Sequence, residues 1–471
     1  MGAKERFYVD VMAVHPEVTG SCNLVIVKYP DGTDTRFIVD CGLFQEREYS
    51  KYNDVFPFTE ENIEFCLVTH NHVDHIGRLP LLVKNGFKGK IYASFATTCF
   101  AGPALSDSYG VLRDVAKRNH TRDLYSETDV DKAKKQFYAC DFEETVYANE
   151  RIRFTLFKNG HLLGAAIILV QISYPGCEDI NLLFTGDYNN KNMFFDVPSL
   201  PDWVINLPLI VVQESTYGTM NSTDIEKCFE NNIIRCMDNG GTAVCMVFSL
   251  GRSQEILYVL KNMQEEGRLS QEIPIYFDGK LAHRYTKLYL EEDLGIEEEM
   301  KNFLPENLIF VDKASRPSVV EGTEQKIIVT TSGMGTYGPA QIYIPEYITR
   351  NNCLLQFTGY TTEGTLGSRL KNTEIGEVVN IGSIIRKKRA NVAYTTEFSA
   401  HAKADEMIEF LKQFNQLKLV LVNHGEVGVK AEFAKRIVEE IDPKCVAVLD
   451  RSYFYRINPY GLIRTMSTKF E

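Results

Sequence analysis

Apolar residues fall in short β-rich blocks through the first part of the chain. Residues 22–29 (CNLVIVKY) and 35–40 (TRFIVD) flank Pro30-Asp31-Gly32, which predicts a hairpin. Residues 64–69 (EFCLVT) predict a buried strand, and 152–157, 165–172, 180–185 and 209–214 (LIVVQE) predict more. A helical patch covers roughly 105–137. Beyond residue 220 the pattern changes. Helical periodicity at 223–238 and 252–266 alternates with short apolar strands at 242–248, 274–278, 326–331 and 353–358, which predicts a parallel α/β unit. A strand at 391–398, a helix at 403–414, a strand at 417–424 and a helix at 429–440 follow. The α/β unit therefore reads as an insertion, residues 215–392, in a β-rich host made of 1–214 and 393–471.

Composition narrows the class. The 471 residues are 44% hydrophobic and 24% charged, which excludes disordered and coiled-coil chains. The net charge of −12 speaks against gripping nucleic acid by bulk charge. The eleven cysteines contain no CxxC pair and are odd in number, so reduced thiols in a cytoplasmic protein are expected. The N-terminal residues carry no apolar signal-peptide core, and no apolar run is long enough to span a bilayer.

The chemistry concentrates in Thr69-His70-Asn71-His72-Val73-Asp74-His75. Three imidazoles and a carboxylate at the exit of an apolar strand are costly to bury unless a cation pairs with them. Imidazole suits Zn²⁺, and Asp adds a hard oxygen. So tight a spacing does not easily serve one tetrahedral ion, and it better suits two ions roughly 3.5–4 Å apart. Downstream, Asn159-Gly160-His161 lies between two strands, and Gly186-Asp187 ends another.

HxHxDH followed by Gly-His and Gly-Asp resembles the metallo-β-lactamase fold. The resemblance implies an αββα sandwich with two Zn²⁺ per chain. His70, His72 and His161 would hold one zinc, Asp74 and His75 the other, and Asp187 would bridge them. Asp40, in Val39-Asp40-Cys41-Gly42, would support the ligands; alone it reads as a turn aspartate. Gln213-Glu214-Ser215-Thr216-Tyr217-Gly218, FSLGRSQEILYVL (248–260), TTSGMGTYGPA (330–340), GYTTEGTLGSRL (359–370), FSAH (398–401) and VNHGE (422–426) resemble, in order, the motifs of the β-CASP cap. The chain resembles single-chain prokaryotic relatives of the cleavage and polyadenylation endonuclease subunit. The fold class is thus α/β, a metallo-β-lactamase sandwich with an inserted β-CASP domain.

This resemblance implies a zinc-dependent ribonuclease that cleaves single-stranded RNA with a metal-activated water, endonucleolytically and with a 5′–3′ exonuclease mode as an option. His424 would complete the second zinc site, and a histidine there marks the RNA-cleaving branch. The expected catalytic set is Asp74, His401 and Glu214, with Glu214 orienting His401 beside the scissile phosphate. Arg252 and Arg369 are candidate phosphate contacts, as are the backbone amides around Gly333 and Gly335. Gly333-x-Gly335-x-x-Gly338 also fits a dinucleotide fingerprint, but Pro339 follows at once and no acidic strand end lies downstream. The basic run Arg386-Lys387-Lys388-Arg389 is either a solvated strand end or a phosphate contact. Lys403 stands where relatives carry Asp, and Asp278-Gly279-Lys280 departs from the family block. His15, His120 and His283 match no ligand motif and are expected to be surface or structural. A homodimer is an option, and no membrane partner is expected. The alternatives are a hydrolase of a small ester or thioester, and a non-catalytic subunit of an RNA-processing complex.

Overall fold

A computed structural model describes residues 6–45, 49–225, 227–359, 361, 364–441 and 446–467. Of the expected cap block 359–370, Tyr360, Thr362 and Glu363 lie outside the described residues. The chain divides into two compact units, one formed by residues up to Ser222 together with those from Ala400 onward, the other by Thr223–Ser399.

The first unit is built on two sheets. The predicted hairpin is present as Asn23–Lys28 and Asp34–Val39, antiparallel with Asn23 opposite Val39. It sits in an eight-stranded sheet flanked by Tyr8–Ala13 on one side and Phe65–Leu67 on the other. The seven-stranded sheet contains Ile152–Lys158, Ala166–Ile172, Ile180–Phe184, Pro208–Gln213 and Gln416–Val422. Side chains of both sheets, among them Val25, Phe37, Phe154, Ile168, Leu182 and Leu421, share one buried core. The outer face of the seven-stranded sheet buries Leu183, Val211 and Val420 against Met407, Leu411, Phe433 and Ile437 of the helices Ala404–Lys412 and Val427–Glu440. The helix Phe95–Asn119 contacts strands of the eight-stranded sheet. The layers are therefore αββα, as period-2 strands with two covered faces require.

The expected strand 64–69 is only Phe65–Leu67. Val68 still donates to Tyr92 O of the adjacent strand at 2.9 Å, but past it the chain leaves the ladder, because the Thr69 amide donates to the Asp40 carboxylate at 2.8 Å. The helical patch 105–137 is two helices, Phe95–Asn119 and Glu127–Gln136, separated at His120, which adopts φ 53° as a left-handed cap.

The second unit carries a parallel sheet of six strands ordered Leu308–Val311, Ile275–Asp278, Lys326–Thr330, Thr242–Met246, Leu354–Phe357, Asn391–Tyr394. Asn391–Tyr394 runs parallel to Leu354–Phe357, so it belongs to this sheet and not to the host.

Candidate metal centre

Strand register gathers the chemistry at one rim of the sandwich. Phe184 pairs with Val212, and Val212 with Leu421. The three parallel strands thus end level, and Asp187, Glu214 and His424 follow within three residues of their ends. On the other sheet, Val39 pairs with Leu67, which sets Asp40 beside the Thr69–His75 loop. His161 lies in the connection between Ile152–Lys158 and Ala166–Ile172.

Three sets of side chains meet there, one of them Asp187, Glu214 and His401, and two built on the Thr69–His75 loop. His70, His72, His161 and Asp187 can each offer a ligand atom, all within 4.8 Å of one another. Asp74, His75, Asp187 and His424 do the same, so Asp187 belongs to both sets. His161 Nε2 faces His72 Nδ1 at 3.2 Å. His161 Nδ1 donates to the Ala400 carbonyl at 2.9 Å, so its Nε2 carries a lone pair towards His72. His70 Nε2, His75 Nε2, His424 Nε2 and Asp187 Oδ1 are buried without a hydrogen-bond partner. Such orphans are rare in a folded interior, and a cation held by each of the two histidine-rich sets would account for all four.

The electrostatics agree. Burial pushes His70, His72 and His161 below the usual histidine range, which keeps them neutral and fit to ligate. Burial acts on His75 in the same sense, but the Asp187 and Asp40 carboxylates outweigh it and hold His75 well above that range. Asp187 is held well below the carboxylate range, since burial is outweighed by His424 and His75. Asp40 Oδ2 accepts from His75 Nδ1 at 2.8 Å, which turns Nε2 towards Asp187 Oδ1, 3.2 Å away. Asp40 is itself held by the Thr69 amide, the Thr69 hydroxyl and Ser21 Oγ. Arg78, fully buried between Phe44 and Phe56, donates from Nε to the Gly42 carbonyl at 2.6 Å and steadies the same turn.

Glu214 is 1% exposed and His401 19% exposed, so the histidine faces outward from its carboxylate. His401 Nε2 stands 3.9 Å from Asp187 Oδ2. Burial draws His401 down, but Glu214 outweighs it and raises the imidazole above its usual range. Two groups at the rim carry no signal in a ligand motif. Thr216 Oγ1 lies 3.2 Å from His424 Nδ1, and Asn159 links two ligand loops. A threonine in a turn and an asparagine before glycine are too common to single out from sequence.

Arg252, Gly333, Gly335 and Arg369 belong to the other unit. Arg252, expected as a phosphate contact, is buried and paired within its own unit. It is 6% exposed, its Nε donates to Glu255 Oε2 at 2.8 Å, its Nη1 donates to the Thr358 carbonyl, and its guanidinium lies 5.6 Å from the Phe398 ring centre. It braces the unit internally. The Gly335 amide donates to Ser332 O at 2.9 Å, so this amide of the glycine-rich loop is spent within it. Gly335 has φ 69° and Gly333 packs where a Cβ would meet Phe248, so both glycines have conformational reasons to be there. Arg369 is exposed on Leu366–Lys371. Asp278 is buried and accepts from both Arg316 Nε (2.6 Å) and Nη2 (2.9 Å) and from Tyr343 Oη (2.8 Å). His283 gives its Nε2 to the Phe277 carbonyl at 2.8 Å. Ten described cysteines are free thiols, and among the described residues no helix is long and apolar enough to cross a membrane.

Comparison with known proteins agrees with the two-unit fold. Residues 18–199 match the metallo-β-lactamase superfamily, 253–370 the Beta-Casp domain, and 386–448 the Zn-dependent metallo-hydrolase RNA specificity domain. An RNase J-like protein of Methanocaldococcus jannaschii is 30% identical over 85% of this chain and 90% of its own length. The chain belongs to the β-CASP family of metallo-β-lactamase-fold hydrolases. Transcription termination factor FttA of Methanosarcina mazei is 29% identical, covering 90% of this chain and 68% of that protein. A protein of Thermus thermophilus named as a ribonuclease is 28% identical over 87% of this chain and 91% of its own length. The β-CASP domain match lies wholly within the unit Thr223–Ser399, and the sandwich that carries the histidines is the metallo-β-lactamase part.

Proposed function

We propose that this β-CASP protein is a ribonuclease that hydrolyses phosphodiester bonds of single-stranded RNA with two Zn²⁺ per chain. The observation that carries the reading is the carboxylate of Asp187, shared by two sets of ligand side chains in which Nε2 of His70, His75 and His424 is buried without a hydrogen-bond partner. His70, His72 and His161 would hold one ion and Asp74, His75 and His424 the other, with Asp187 common to both sets. Bound zinc supplies a hydroxide at neutral pH, because it brings the pKa of coordinated water to about 7, and neutralises charge on phosphate oxygens. The chain's own groups do the rest. Asp40 fixes the tautomer of His75. His401, kept protonated by Glu214, gives its Nε2 proton to the departing ribose oxygen. Glu214 stays fixed meanwhile, because its oxygens also accept from the amides of Tyr188 and Thr216.

A non-catalytic subunit has no use for so complete a set, and a hydrolase of a small ester has no use for a β-CASP domain. The names of the relatives, two ribonucleases and a termination factor, support RNA as the substrate. The test uses zinc-loaded protein and end-labelled single-stranded RNA bearing either a 5′-phosphate or a 5′-hydroxyl. Internal fragments identify an endonuclease, and mononucleotides released from the 5′ end identify an exonuclease. Absence of any cleavage overturns the proposal.

A further inference from the structure

We infer that Asn159 is a positioning residue that sets the separation between the loops carrying His161 and Asp187; the inference rests on the reading that these two ligands address the same ion. The Asn159 side chain is fully buried. Its Nδ2 donates to two carbonyls, Thr185 O at 2.8 Å and Asp187 O at 2.6 Å. Its Oδ1 accepts two amides, His161 N at 3.0 Å and Asn189 N at 3.1 Å. Both donors and both acceptor positions of the amide are thereby used.

The ordinary role for an asparagine here is a local turn in which Oδ1 accepts the amide two residues on. The His161 bond is such a turn. The other three bonds reach residues 26, 28 and 30 positions away, and a turn has no need of them. They enclose Asp187 from both sides, through Thr185 and Asn189. Gly160 completes the junction. Its amide donates to Asn189 O at 2.9 Å, and a Cβ at this position would stand 2.4 Å from Lys191 O. The two loops are thus pressed together at the glycine and held by the asparagine beside it.

Only an amide of this length satisfies the site. Aspartate has the same shape but would turn a carboxylate oxygen towards two carbonyls. Leucine would leave two carbonyls and two amides buried without partners. Ligand placement tolerates only about half an ångström of error before a site loosens. Asn159 touches neither the ion nor the substrate, so its effect passes through His161 and Asp187.

The test compares Asn159→Asp and Asn159→Ser with the wild-type chain. Zinc affinity is read by chelator competition, and the coordination sphere by the visible spectrum of the Co²⁺-substituted protein. We expect zinc affinity to fall about 10–100-fold with a changed Co²⁺ spectrum, the usual effect of losing an outer-shell partner. In RNA cleavage kcat should fall while KM stays within about twofold, since binding of the remote chain is untouched. Folded variants with wild-type zinc affinity and an unaltered Co²⁺ spectrum would overturn the inference. So would failure of both variants to fold, which would make Asn159 a structural post. The metal readouts need no RNA, so a wild-type chain that binds zinc but cleaves nothing sinks the proposed activity and leaves this test standing.

Discussion

His401 Nδ1 lies 3.0 Å from each carboxylate oxygen of Glu214, and its other nitrogen faces the ligand cluster. The pair works as one device, so its members should not contribute independently. Glu214→Gln and His401→Ala should each lower kcat by about 10²–10⁴, the range of a lost general acid. The double variant should be little worse than either single, because removing one member already disables the other. Zinc content should stay at the wild-type level in all three. Single-turnover cleavage with zinc analysis checks this; fully additive losses would show that the two residues act separately.

Asp187 belongs to both ligand sets, so its loss should be felt by both ions at once. Asp187→Ala removes the carboxylate that His70, His75, His161 and His424 all approach within 4 Å. We expect zinc bound per chain to drop and RNA cleavage to vanish. Elemental analysis of the purified variant, beside an RNA cleavage assay, decides; full zinc occupancy with unchanged activity contradicts the bridging role.

Asp40 acts one step further out. Its 2.8 Å bond to His75 Nδ1 leaves Nε2 as the ring nitrogen that faces Asp187 and would ligate an ion there. Asp40→Asn keeps the shape and removes the charge. The expected outcome is a roughly 10–100-fold weaker affinity at one of two zinc sites. A biphasic chelator titration should reveal one weakened and one unchanged phase. Equal weakening of both phases would argue for general loosening of the rim.

Much of this was legible from sequence because it is local. Thr69–His75 compresses four candidate ligands into one loop, and each apolar block that precedes a ligand is a strand. The misses are non-local or hidden by exceptions. Tyr8–Ala13 pairs with Tyr453–Asn458, with Val9 opposite Ile457, and nothing in either segment announces so distant a partner. The helix Phe95–Asn119 runs through Gly102 and Pro103, residues that ordinarily argue against a helix interior. Arg252 carries a charge that suggests phosphate, but its partner Glu255 stands only one helical turn on. Tertiary burial turned that exposed-looking pair into an internal brace.

The basic run divides by burial in a way that can be tested. Lys388 is 6% exposed and donates to Leu370 O at 3.0 Å and Thr373 O at 2.6 Å, closing the end of the helix Leu366–Lys371. Lys387 and Arg389 are exposed. Lys388→Met should destabilise the chain by roughly 1–3 kcal/mol, because two carbonyls lose their donor. Lys387→Ala and Arg389→Ala should fall within about 0.5 kcal/mol of wild type. If either exposed cation meets RNA, its removal lowers the slope of log affinity against log salt by roughly 0.7. Denaturant titration and salt-dependent RNA binding separate the two roles.

His15 gives the chain an acid-sensitive position outside the ligand motifs but within electrostatic reach of His424. It is buried against Phe44 and Tyr49, and burial, reinforced by Arg451, Lys430 and Arg78, brings its pKa down to about 3. In the unfolded chain the imidazole titrates near 6.5. Above that pH it is neutral in both states and costs nothing. As pH falls below 6.5 the unfolded state takes up a proton that the folded state refuses, so stability drops until the folded pKa near 3 is reached. His15→Asn removes this titration. The stability difference between wild type and variant, measured in chelator so that zinc release is common to neither, should therefore change by about 1.4 kcal/mol per pH unit over the acid range. Parallel pH profiles for the two proteins would show that His15 protonates as easily in the folded chain as in the unfolded one.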